Sequence, residues 1–335
     1  MATEKDRLRK WSIFGAMFLL TLLGTFGTNF FSCHLFRSVL RNPVYEKPTV
    51  AFSVSVTTLL QLVGSCFFLN QVGNLFKYWE ILSIGDSYEQ EKTLDKKCRS
   101  APPTPAIQLK NRGIRLGNVD DNTRQHIPLA LQIKLALCQL LTMGLSNLAL
   151  VYIGLVSTFA ARTAFFSFDN LVAKLVGPKE MVVRICIMAI FWITGISIAV
   201  TIFPNFQHTT VFGAILCFLS VLFHIGRDYF LSQAKFILLV EGEDRLAFPE
   251  RNHVAFLMNM SGTMLMFWIT VIQAIADPHA AVGFFTGHSI FSLIVLSSIS
   301  YWLSIQFELT NFAMDLKTNK RLTTNFALNF VILIL

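Results

Sequence analysis

Residues 11–36 read WSIFGAMFLLTLLGTFGTNFFSCHLF, and this stretch decides the class of fold. It contains no acid or base. It is also long enough to cross a hydrocarbon core of roughly 30 Å, which takes about 20 apolar residues. A spanning segment must satisfy every backbone polar group within itself, so a helix is expected. Stretches of the same kind follow along the chain. The expected spans are 11–35, 50–70, 127–153, 156–177, 182–203, 209–231, 253–276, 284–306 and a short one at 322–335. The expected fold class is an all-α polytopic membrane protein.

Composition agrees with this reading. Of 335 residues, 53% are hydrophobic and 14% charged, with a mean hydropathy of +0.55, which sets the chain apart from soluble proteins. The net charge of +8 invites a nucleic-acid reading. The bases lie between spans rather than on one soluble face, so positive-inside flanks explain them and no nucleic-acid partner is expected. Six cysteines are scattered singly, without CxxC or Cys/His clusters, which points to neither a metal site nor a disulfide framework. The basic start, MATEKDRLRK, precedes an apolar run too long for a cleaved signal peptide, so the first helix is retained.

The chain divides into a tail (1–10), two helices (11–70), a polar connection (71–126) and the remaining helices (127–335). The connection carries charged runs and a proline cluster at 102–105, which predict a partly disordered loop. With the N-terminus in the cytosol, 21 bases fall on the cytosolic side, among them Lys179 and Arg184. The other side has three: Arg37, Arg41 and Lys47. Without the long connection the ratio is still 12 to 3, so the tail and the 71–126 loop are expected in the cytosol.

Charge inside a span is costly and usually faces a bundle interior or an aqueous cavity. In STFAARTAFFSFDNLVAKLVG (157–177), Arg162 and Asp169 are seven apart and share one helix face about two turns apart. A cavity-lining role is favoured for them over structural pairing. Lys174 is near enough to the cytosolic end to snorkel. Asn29, Gln61 and Asn147 read as interhelical glue, with Asn147 also a candidate polar wall. His224, Arg227 and Asp228 read as an interfacial cap, and Lys317, Lys320 and Arg321 as anchors that also suit anion contact. A sequon at Asn259 falls within a span, out of reach of glycosylation. No HExxH, Walker loop, GxSxG or paired acidic motif occurs, so an enzyme is not expected.

Several segments together resemble the nucleotide-sugar and triose-phosphate transporter branch of the drug/metabolite transporter superfamily. TTLLQLVGSCFF (57–68) looks like that family's second helix. SNLALVYIGLVSTFAARTAFFSFDNLVAKLVGPKE (146–180) is similar to its passage from third to fourth helix, with Arg162 standing where the family usually has a lysine. GAILCFLSVLFHIGRDYFLSQ (213–233) looks like the sixth helix, and TNKRLTTNFALNF (318–330) like the start of the ninth, where Lys320 and Arg321 hold the place of a substrate-binding basic pair. Three features depart from the family: Phe165, Phe166, Ser167 and Phe168 follow the base where a proline is frequent, the 71–126 loop is long, and the chain stops at Leu335 within the ninth span.

The resemblance implies two inverted five-helix halves around a central site, here expected to be truncated in the ninth helix, and a Golgi or endoplasmic reticulum membrane. It implies a secondary transporter, an antiporter by alternating access, for an organic phosphate anion. That substrate would be a nucleotide sugar, exchanged for a nucleotide monophosphate. The substrate-binding candidates are Arg162, Lys320, Arg321 and Asn147, with no metal or organic cofactor. Membrane lipid and a homodimer are the other partners this reading admits. The competing readings are a polytopic receptor or other non-transporting membrane protein, and a membrane-embedded enzyme.

Overall fold

A computed structural model describes residues 4–41, 50–98, 127–177, 180–202, 208–238, 248–285, 288–308 and 318–334. Among these residues the chain is helical throughout, with no strand. The elements are α1 (Glu4–Arg41), α2 (Val50–Cys98), α3 (Leu129–Val176), α4 (Met181–Ile202), α5 (His208–Leu238), α6 (Phe248–Ala276), α7 (Pro278–Phe285), α8 (His288–Phe307) and α9 (Thr318–Ile334). Six of them, α1 to α6, are long and apolar enough to cross a membrane, and α8 and α9 add shorter apolar stretches. The protein is accordingly a multi-pass all-α membrane protein.

The two spans expected at 127–153 and 156–177 form the continuous element α3, broken at one residue. Gly154 leaves the helix with φ 73° and ψ −179°, a backbone region open essentially to glycine alone. The break divides α3 into arms 129–153 and 155–176, each near the length a bilayer requires. At two places helix appears where polarity predicted loop. α2 runs on past 70 to Cys98, and α7 occupies part of the expected 277–288 connection. The rest of the expected disordered loop, 99–126, lies outside the described residues.

Lipid tails are as apolar as leucine, so helices in a membrane associate through close packing and polar contacts rather than hydrophobic burial. The interface of α1 with α8 shows both. A Cβ on Gly24 would lie 2.4 Å from the Ser304 backbone nitrogen and 2.9 Å from the Ser300 carbonyl, so only glycine lets the two backbones meet. Beside it, Thr25 and Ser304 share a hydroxyl hydrogen bond of 3.0 Å, and Ser32 and Ser297 one of 3.2 Å. Gln61 of α2 donates to Ser32 Oγ at 2.8 Å and also to Ser297. Asn147 of α3 donates at 3.1 Å to both Thr58 and Gln61 of α2. The glue reading of Gln61 and Asn147 therefore has four helices to join.

α2 also packs on α6, and α3 on α5. Leu62, Leu135, Met258 and Ile305 belong to one buried cluster, and Phe165, Phe166, Met188 and Val221 to another. α4 sits at the rim, with Ile190, Phe191, Ile193 and Ile198 exposed. These side chains are what a helix facing lipid presents. Asn259 is buried in α6, with its amide on the Ala255 carbonyl at 2.9 Å.

Candidate functional site

A cavity lies among α1, α3, α5 and α8, and its walls are polar although the helices are not. α1 contributes Thr25, Thr28 and Asn29; α3 contributes Gln139, Thr142, Ser146, Asn147 and Arg162; α5 contributes His224 and Arg227; α8 contributes Tyr301, Ser304 and Glu308. The break at Gly154 brings Ser146 and Arg162, on opposite arms of α3, to the same wall.

Arg162 is the unusual member. It is 9% exposed, and its one hydrogen bond is a long one of 3.4 Å from Nη1 to Ser146 Oγ. Its Nε is buried without a partner. Among the described residues no carboxylate lies within ion-pair distance of it. An isolated buried cation is strongly disfavoured unless something compensates it.

Arg227, in contrast, is saturated. It donates from Nη1 to Gln139 Oε1 at 3.0 Å, from Nε and Nη2 to Asp228 Oδ1 at 3.3 and 3.1 Å, and from Nη2 to Glu308. His224 Nε2 lies 3.3 Å from Arg227 Nη2 and 3.1 Å from the Asn325 amide nitrogen of α9. It is also 3.7 Å from Glu308 and 3.8 Å from Asp228. Behind this group Gln139 donates to the Tyr301 hydroxyl, which donates to Asn259 Oδ1 at 3.2 Å. Five helices thus meet at one buried polar network. The ligating atoms of His224, Asp228 and Glu308 lie within 4.8 Å of one another, a spacing a metal ion could use. The Arg227 guanidinium already bonds to both carboxylates, so the place for a cation is taken.

No known protein family and no curated protein sequence matches the chain.

The four expected binding residues fall into two groups. Arg162 and Asn147 both line the cavity. Lys320 and Arg321 stand in the first turns of α9, but their side chains lie outside the described residues. Asp169, expected to line the cavity with Arg162, is instead paired: its Oδ1 binds Arg184 of α4 at 2.5 and 3.2 Å. Arg184 is correspondingly buried in an ion pair rather than standing as a free cytosolic base.

The interfacial-cap reading of Arg227 and Asp228 is also corrected. Arg227 is 2% exposed and belongs to the cavity. The spacing of His224, Arg227 and Asp228, at i, i+3 and i+4, places all three on one helix face, a signal that could have revealed them. Glu308, just past the end of α8, and Asn325, in the middle of α9, meet these partners only through the fold.

Proposed function

We propose that the protein is a secondary transporter of an organic phosphate anion, specifically a nucleotide sugar, exchanged for a nucleotide monophosphate by alternating access. It would act in a Golgi or endoplasmic reticulum membrane with its N-terminus in the cytosol. The observation that carries this reading is Arg162, a buried guanidinium on the wall of an intramembrane cavity with no carboxylate partner among the described residues. A fork of N–H donors without an acidic partner suits the oxygens of a phosphate, which it can grip in bidentate fashion. Ser146 and Asn147 add polar contacts on the same wall.

Lys320 and Arg321 would add charge to this site from the start of α9, the helix whose Asn325 reaches His224 at 3.1 Å. Packing partners support the inverted-repeat reading. With the arms of α3 as third and fourth helices, α5, α6 and α8 become the sixth, seventh and eighth. Exchanging the halves then turns the α1–α8 contact into the α3–α5 contact and leaves α2–α6 unchanged. Thr25 to Ser304 in one interface is answered by Ser220 to Thr142 O, at 2.9 Å, in the other.

The test is exchange by reconstituted protein against a panel of nucleotide sugars. Arg162→Lys keeps the charge but loses the planar fork, so partial exchange is expected. Arg162→Gln should abolish it. Normal exchange by a correctly inserted Arg162→Gln protein would remove the cavity from the mechanism. Absence of exchange and of binding by the native chain would favour a non-transporting membrane protein.

A further inference from the structure

Among the described residues the charged groups at the cavity are matched in number. Arg162 and Arg227 are its two guanidinium cations, and Asp228 and Glu308 are the two carboxylates that share Arg227. With His224 neutral the group carries no net charge. The Asn325 amide nitrogen lies 3.1 Å from His224 Nε2, a contact that suits a neutral imidazole with its lone pair on that nitrogen. Other charges stand close by. Asp169, already paired with Arg184, faces α5 from the second arm of α3, and Phe166 packs its ring on the His224 ring at 5.1 Å between centroids.

An anion entering this cavity disturbs that balance. It adds negative charge at Arg162, and it competes with Glu308 and Asp228 for the donors of Arg227. One guanidinium cannot serve both carboxylates and a phosphate at full strength, and a buried carboxylate deprived of its partner is expensive. One proton offsets half of the two negative charges of a nucleotide-sugar diphosphate, and the groups best placed to take it are already in position. His224 Nε2 is 3.7 Å from Glu308 and 3.8 Å from Asp228, with access to solvent through the cavity.

We infer that His224, Asp228 and Glu308 form a proton-binding site coupled to the anion site, so that one proton enters with each anion. The inference rests on the anion-binding reading of Arg162. The proton comes from bulk water and adds to the His224 Nε2 lone pair. The imidazolium then replaces Arg227 as the partner of the two carboxylates. The Asn325 amide, displaced from that nitrogen, keeps Asp228 Oδ2 as its acceptor at 3.5 Å, and Arg227 is left free to bind the phosphate. No covalent bond other than N–H forms or breaks. The coupling is reciprocal: protonation tightens anion binding by the same factor that the anion tightens proton binding.

The experiment is isothermal titration of the full chain in lipid nanodiscs. The probe is the tightest-binding member of a panel of UDP-, GDP- and CMP-sugars, whose diesterified phosphates take up no proton themselves near neutrality. Titration in two buffers of different ionisation enthalpy counts the protons. The expected result is uptake of about one proton per anion, with the Kd rising about tenfold for each pH unit over the range of uptake. His224→Gln and Glu308→Gln keep hydrogen-bonding shape and should bind with little uptake and a flat pH profile. Binding by the native chain with no buffer dependence and a constant Kd would overturn the coupling while leaving the anion site standing. If no panel member binds, the anion-site reading fails and the coupling falls with it. The native-chain measurement decides the matter even if either variant does not fold.

Discussion

Two arginines in one cavity have opposite energetic roles, and stability measurements should separate them. Arg162 is buried with one long hydrogen bond and an orphaned Nε, so its charge weakens the fold. Arg162→Gln removes that charge and should stabilise the protein by about 1–3 kcal/mol while abolishing transport, the exchange of stability for function expected at a binding site. Arg227 neutralises two carboxylates at once. Arg227→Gln leaves both of them buried and uncompensated, so a loss of about 3–5 kcal/mol is expected. Thermal unfolding of both variants in detergent checks the contrast, and equal destabilisation would contradict it. Of the two, only Arg162 was legible in the sequence as a candidate, because a base near the middle of an apolar run stands out. Arg227 lies near the end of its span, where a buried base and an interfacial base look alike. The Glu308 carboxylate that distinguishes them is supplied by another helix.

At the scale of elements, the kink in α3 depends on a single glycine. Gly154 has φ 73° and open space around its missing Cβ, so a side chain there meets no steric obstacle from neighbours. The penalty of Gly154→Ala is confined to the backbone, about 1–3 kcal/mol. The variant should relieve that strain by straightening α3, which would draw Arg162 away from Ser146. Lower thermal stability together with weaker nucleotide-sugar binding is expected. Unchanged stability would show that the chain tolerates alanine in this conformation. The spans themselves were legible because about 20 apolar residues leave little alternative to a membrane helix. The continuation of α2 was not. Its first part, QVGNLFKYWEILS, does carry Leu75, Trp79 and Leu82 at helical spacing, a signal outweighed by the charged run that follows; that run, EQEKTLDKK, has no apolar face, yet Glu, Gln, Lys and Leu all form helix readily.

For the whole molecule, the length of α2 converts a statement about charge into one about topology. Its 49 residues span about 74 Å at 1.5 Å per residue, more than twice a hydrocarbon core of roughly 30 Å. The apolar part is Val50–Leu75, so the charged remainder to Cys98 must project from the bilayer on one side. That remainder and the connection after it hold nine bases, while the three bases of the opposite face are Arg37 and Arg41 at the end of α1 and Lys47 before α2. By positive-inside bias the projecting end is expected in the cytosol. A variant retaining Cys98 as its sole cysteine reports this directly in sealed, oriented vesicles. An impermeant maleimide applied from the cytosolic side should label it, whereas the same reagent trapped in the lumen should not. The reverse pattern would invert every helix, and with them the side of the bilayer on which Glu308 meets the cavity. The anion and its proton would then enter the Arg227 network from the lumen rather than from the cytosol.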